Sequence, residues 1–181
     1  EMDTPPNAVL HLGAMDWTPN VQGVQWLKDE VWPLVHQTSP ELRLLLAGRH
    51  MPEDWTSDEA LGIDVLGEVE NAQATYNSPC IVVVPLHAGS GMRIKLAEAL
   101  AAGRPVVTTT KGMEGMDLTP GKHVWVADDA PAMSEALVRL IDSPETAIEL
   151  GKAGRQWALD HLGHRARARI LTDHLQSWVD A

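Results

Sequence analysis

Short runs of apolar, often β-branched residues alternate along this chain with longer segments of helical periodicity. The run Cys80-Ile81-Val82-Val83-Val84, closed by Pro85, is too short for a buried helix and predicts a strand covered on both faces. Val9 to Leu12, Leu42 to Ala47, Ile63 to Leu66, Val106 to Thr109 and Val124 to Ala127 predict further strands. Helices are predicted from about Val21 to Val35, near Asn71 to Tyr76, and from Arg93 to Ala102, where Gly103 and Pro105 stop the last one. In the first of them Trp26, Val31 and Leu34 are spaced for the buried side. Beyond the last strand the pattern turns helical: from Pro131 through Ile141, from Ser143-Pro144 to about His161, and, after Gly163, to near Trp178.

This rhythm predicts an α/β fold, a Rossmann-like open parallel sheet of about six strands with helices on both faces and right-handed crossovers. Residues 1–7 are assigned to a linker, 8–163 to one domain and 164–181 to a C-terminal helix. Ligands of such sheets sit beyond the carboxyl ends of the strands. The segments Ala14 to Trp17, Gly48 to His50, Gly67 to Val69, His87 to Gly91 and Thr110 to Gly115 should therefore face one crevice.

The richest of these loops follows Val84. Gly89-Ser90-Gly91 permit tight turns and close ligand approach, and a helix beginning near Met92 offers unpaired N–H groups at the positive end of its dipole. Arg93 and Lys95 fall in its first turn, where cations are unfavourable unless an anion neutralises them. A phosphate would do so, and plain solvation of two helix-start cations accounts for them equally well. The loop is neither G-x-x-x-x-G-K-[ST] nor G-x-G-x-x-G. If the two cations clamp a diphosphate, removing either should leave folding almost intact or slightly improve it, because a cation leaves the positive end of a helix.

Composition narrows the partner class. The chain has 181 residues, suited to one domain, and a formal net charge of −11, which argues against nucleic acid or an anionic membrane as its main partner. Between residues 88 and 111, however, Arg93, Lys95, Arg104 and Lys111 face only Glu98, a local balance suited to a small anionic ligand. The single Cys80 lies in a strand-like run, so a core thiol and a reducing, cytoplasmic compartment are expected. No run approaches the length of a transmembrane segment and nothing resembles a signal peptide. His161 and His164 lack a third ligand at zinc-site spacing, and no D-x-D, G-x-S-x-G or H-E-x-x-H is present.

The segment from Val9 to about Leu159 resembles the C-terminal, donor-binding domain of GT-B glycosyltransferases of the glycosyltransferase 4, or group 1, type. The resemblance is carried by His11-Leu12-Gly13-Ala14-Met15-Asp16-Trp17-Thr18-Pro19-Asn20, by Gly48-Arg49, by Val83-Val84-Pro85-Leu86 with Gly89-Ser90-Gly91-Met92-Arg93-Ile94-Lys95, by Ala97 through Val107, and by Lys111-Gly112-Met113-Glu114-Gly115. It implies half of a GT-B fold that holds a nucleotide-diphosphate sugar as substrate, with no metal or other cofactor, opposite an N-terminal acceptor-binding domain absent from this chain. It also implies work at the cytoplasmic side, with peripheral attachment to the inner face of a membrane as an option, in bacterial surface polysaccharide or glycan synthesis. A GT-B nucleotide-sugar epimerase and a non-catalytic nucleotide-binding module are the alternatives. Glu98 matches the second Glu of the family's E-x7-E motif, which accepts hydrogen bonds from the ribose. Ser90 stands where the first is expected. The family's Arg and Lys after the first strand are also missing, so Arg93 and Lys95 are the candidates to replace them. With them, Arg49, Gly67, Val69, Gly89, Ser90, Gly91 and Met92 form the implied nucleotide-sugar site. His87 is balanced between a ligand contact and a turn residue packed against the sheet, and no catalytic residue is assignable.

Overall fold

The computed structural model describes residues 3–90 and 93–163. Its centre is a parallel sheet of β1 (Ala8–Leu12), β2 (Arg43–Ala47), β3 (Ile63–Gly67), β4 (Cys80–Val84), β5 (Val106–Thr108) and β6 (Trp125–Val126), in the order β3-β2-β1-β4-β5-β6. The helices are α1 (Thr18–Trp26), α2 (Trp32–Thr38), α3 (Ala72–Tyr76), α4 (Ile94–Ala101), α5 (Ala130–Asp142) and α6 (Pro144–Leu162). The predicted architecture, an open parallel sheet of six strands with helices on both faces, is thus the observed one. The predicted helix after Gly163 lies outside the described residues, as do Gly91 and Met92.

Strand alternation divides the core into two layers. Val9, Leu44, Leu46, Ile81, Val83 and Val107 pack on one face with Val24, Leu27, Trp32 and Val35 of the first helical run and Met133, Leu137 and Leu140 of α5. Leu10, Leu12, Cys80, Val82, Val84 and Val106 pack on the other with Tyr76, Leu96, Leu100 and Trp157. Every residue of β1 and β4 is buried, as their unbroken apolar runs require. Cys80 is a core residue whose thiol burial pushes up to about 12.

One expectation fails in the first helix, where Leu34 is exposed rather than core. The run from Thr18 to Thr38 is interrupted by a π-helical turn, Leu27–Val31, in which the Trp32 N–H reaches back to the Leu27 carbonyl. Pro33 has no N–H to return to Asp29, and its ring would crowd that carbonyl in a regular helix. The widened turn relieves the conflict and adds a residue. Trp32 and Val35, rather than Leu34, then face the sheet, with the Trp32 indole donating to Leu61 O at 2.6 Å.

Candidate functional site

The strand order reverses between β1 and β4, the point at which the loops of such a sheet part to leave a crevice at its carboxyl edge. The loop after β1 is tied to the end of β2: Gly13 N–H donates to Ala47 O at 3.0 Å and Met15 N–H to Arg49 O at 2.9 Å. Gly48 sits at φ +141°, and a Cβ on it would lie 1.9 Å from the Gly13 carbonyl oxygen, so the two loops can pass only because it is glycine. Asn20, buried in the first turn of α1, donates from Nδ2 to Ala14 O at 2.7 Å and fixes the same loop from the other side.

The loop after β4 rests on Trp17. Gly89 has φ +97°, and a Cβ there would come within 2.5 Å of the Trp17 ring, which explains the glycine by contact as well as by conformation. Ser90 follows, exposed at the mouth of the loop. His87 is exposed and makes an edge-on contact with Trp26 of α1, ring centroids 4.4 Å apart at 84°. Thr109 braces the loop from β5, donating through Oγ1 to Leu86 O while accepting from Gly112 N–H.

Arg93 is tied into the surrounding loops rather than left free at the helix start. It is only 3% accessible and its Nη2 donates to Gly89 O at 3.2 Å and Lys111 O at 3.0 Å, with Glu114 Oε2 3.7 Å away. The guanidinium therefore joins the loops after β4 and β5. The expectation that its removal would leave folding intact is corrected accordingly, since two loop carbonyls depend on it.

Lys95 occupies the position between the two half-sheets. It is partly buried, and its ammonium donates to Asn20 Oδ1 across the switch point. Burial, and secondarily the Arg93 charge, lower its pKa to about 8. A partly buried cation at a helix start favours any anion that enters beside it.

The other candidates separate into two places. Arg49 and Val69 share a cavity of about 260 Å³ with Leu12, Gly13, Gly48 and Ala72, above the carboxyl ends of β1, β2 and β3. Gly67 closes β3 at φ +68° and accepts from Gly48 N–H at 2.7 Å, so it shapes the wall of that cavity through backbone. Glu98 is exposed one turn along α4 and does not line this cavity. It stands beside the Tyr76 hydroxyl of α3, whose pKa burial raises first and the Glu98 charge second, and it borders an apolar groove of about 650 Å³ between α4 and α6. Asn20 and Trp17, which sequence reasoning did not single out, turn out to organise both loops. The proline-asparagine pair opening α1 was the one signal available for Asn20. Among the described residues no group of three or more His, Cys, Asp or Glu could hold a metal ion.

The sequence model for "Glycosyl transferases group 1" matches residues 6–143. This chain belongs to that family. The group 1 domain is similar to a phosphatidyl-myo-inositol mannosyltransferase from Mycobacterium leprae, 34% identical over 141 residues that make up 74% of this chain and 37% of the relative. It superposes on HepE from Anabaena in complex with UDP with a TM-score of 0.74 at 12% identity, covering 97% of this chain and 50% of that one. It also matches the C-terminal domain of the group 1 glycosyl transferase LpcC from Francisella tularensis, TM-score 0.71 at 15% identity, with 88% of each chain covered. The chain spans between 24 and 42% of the length of the curated relatives it matches. No helix among the described residues is long and apolar enough to cross a membrane.

Proposed function

We propose that this domain holds the nucleoside diphosphate portion of a nucleotide sugar, and that the longer enzyme transfers the sugar to an acceptor bound by a second domain outside this chain. The observation that carries this is Lys95, a partly buried ammonium with a lowered pKa, held at the start of α4 between the loops after β1 and β4. In this reading the base enters the cavity of Arg49 and Val69, with Gly67 shaping its wall, and Glu98 accepts from the ribose. The diphosphate lies along Gly89-Ser90-Gly91-Met92 toward Lys95 and the α4 N-terminus, with Arg93 keeping that loop in shape. Negative charge building on the departing diphosphate is then met by groups already in place, with no resident metal. Relatives described as GDP-mannose-dependent mannosyltransferases, and the UDP in the HepE complex, fit a donor of this class in glycan synthesis.

Calorimetry of the chain with UDP, GDP and ADP, with magnesium and then with EDTA, tests the reading. One of them should bind in the micromolar to millimolar range, about −8 to −4 kcal/mol, because one wall of the cleft is absent. Silence from all three at millimolar concentration favours a non-catalytic module, and binding abolished by EDTA overturns the metal-free seat.

A further inference from the structure

A buried histidine lies beside Lys95 with no part in the function just proposed. His11 interrupts the apolar strand AVLHL two residues before Gly13 and is fully inaccessible. Its Nδ1 is 3.1 Å from the carbonyl oxygen of Val83, which can only accept, so Nδ1 carries the proton and Nε2 is left with a lone pair. Burial, and then the charge of Lys95, hold its pKa well below the ordinary value, so the ring is neutral at physiological pH. Nε2 has no hydrogen-bond partner among the described residues, an unusual state for a buried polar atom. It is also not isolated in space. A Cβ built on Gly13 would lie 3.1 Å from His11 Nε2, 3.1 Å from Asn20 Nδ2 and 2.7 Å from Lys95 Nζ. The imidazole lone pair and the ammonium therefore converge on the bare side of one glycine.

We propose that His11 is a positioning residue for Lys95: its neutral Nε2, unbonded in this structure, is the acceptor toward which a second N–H of the ammonium turns, while Asn20 Oδ1 accepts the first. An ammonium has three donors and no acceptor. With two of them taken by fixed side chains, the third is directed out of the seat, toward the anion that the crevice takes in the proposed function. The acceptor also offsets part of the desolvation that burial imposes on the cation. The groups facing Lys95 are Arg93 on its own helix, which opposes its charge, and His11 from β1 and Asn20 from α1, which receive it. Tyr76 of α3 touches only the Lys95 carbonyl, at 3.4 Å, and Glu98 lies a turn further along α4. Gly13 completes the seat, because any side chain there would displace the ammonium.

Only the direction of the third donor rests on the proposed function, and the test separates the two. The Lys95 ammonium is titrated in the ligand-free chain through its 13Cε resonance, assigned as the signal lost in Lys95→Met. His11→Leu removes the acceptor and should lower the Lys95 midpoint by about half a pH unit or more, whereas His11→Gln, which keeps a side-chain oxygen, should restore most of it. An unchanged midpoint in folded His11→Leu overturns the proposal, as does a Gln variant as low as the Leu variant, which would mean packing alone. If His11→Leu does not fold, His11→Met takes its place in the same comparison. For whichever of UDP, GDP or ADP binds, His11→Leu should weaken the diphosphate about five-fold while leaving the nucleoside unchanged. A shifted Lys95 midpoint in a chain that binds no nucleotide supports the positioning role and overturns the donor reading instead.

Discussion

The ammonium of Lys95, on α4, is hydrogen-bonded to the side-chain oxygen of Asn20, in the first turn of α1. A cation from the second half of the fold is thereby fixed over the first loop, where the family resemblance leads one to expect a basic residue and this sequence has none. Lys95→Met should therefore cost about 1.5–3 kcal/mol of diphosphate affinity, the usual worth of a hydrogen bond to a charged group. Nucleoside affinity should hardly change. Calorimetry with UDP against uridine, or the pair for whichever base binds, decides it, and equal losses for both would remove Lys95 from the phosphate seat.

Arg93 should behave differently, because its role is internal. Arg93→Ala leaves the Gly89 and Lys111 carbonyls without their shared donor and should destabilise the fold by about 1–3 kcal/mol. Arg93→Lys should recover little, since one ammonium on a flexible stem does not reproduce a planar guanidinium between two loops. Urea unfolding measures both variants, and a parent-like midpoint for Arg93→Ala would show that the brace is dispensable.

The depressed pKa of Lys95 gives stability a defined pH dependence. The unfolded chain keeps this proton up to the ordinary value of 10.5, while the native state releases it at about 8. Below about pH 8 both states are charged and the native state bears the full cost of burying the ammonium. Between the two values the unfolded state binds more protons, so this group favours folding increasingly as pH rises. Cys80 acts in the opposite sense from pH 9 upward, because its thiol stays protonated in the core. The difference between the parent and Lys95→Met isolates the lysine. Chemical unfolding of both at pH 7, 8.5 and 10 should move that difference steadily in the parent's favour, and a flat difference would show that Lys95 is not desolvated.

Gly23→Ala reverses an ordinary rule. In a helix interior the change usually gains about 1 kcal/mol. Here the new methyl would lie 2.3 Å from the carbonyl oxygen of Pro85, so α1 would have to back away from the loop after β4. Thermal unfolding should show a net loss of stability, together with weaker nucleotide binding, because α1 carries Trp17 and Asn20 at its start. A stabilised variant would mean that the contact yields at little cost.

The fold was readable because its signals are local. Unbroken apolar runs such as Cys80 to Val84 announce strands buried on both faces, and Gly103 with Pro105 ends a helix wherever the chain goes next. The crevice could be placed at the carboxyl ends of the strands because the alternating pattern and the handedness of crossovers make the sheet parallel, whereas the strand order came from the structure. Pairwise arrangement was not legible. The phase of the first helix depended on how Pro33 is accommodated, so Leu34 was assigned to the wrong face. Arg93 and Lys95, two residues apart and chemically alike in sequence, are separated only by tertiary structure. One turns inward to two carbonyls and the other reaches Asn20, since Arg93 caps α4 from outside its helical turns whereas Lys95 lies within the first turn, and the two meet different loops. His11 could be seen as a polar residue in an apolar strand, but what its free nitrogen faces was decided by Gly13, Asn20 and Lys95, brought together by the parallel pairing of β1 with β4. Local propensity and periodicity are properties of the sequence, whereas the protonation and direction of a buried side chain belong to the neighbours that long-range packing supplies.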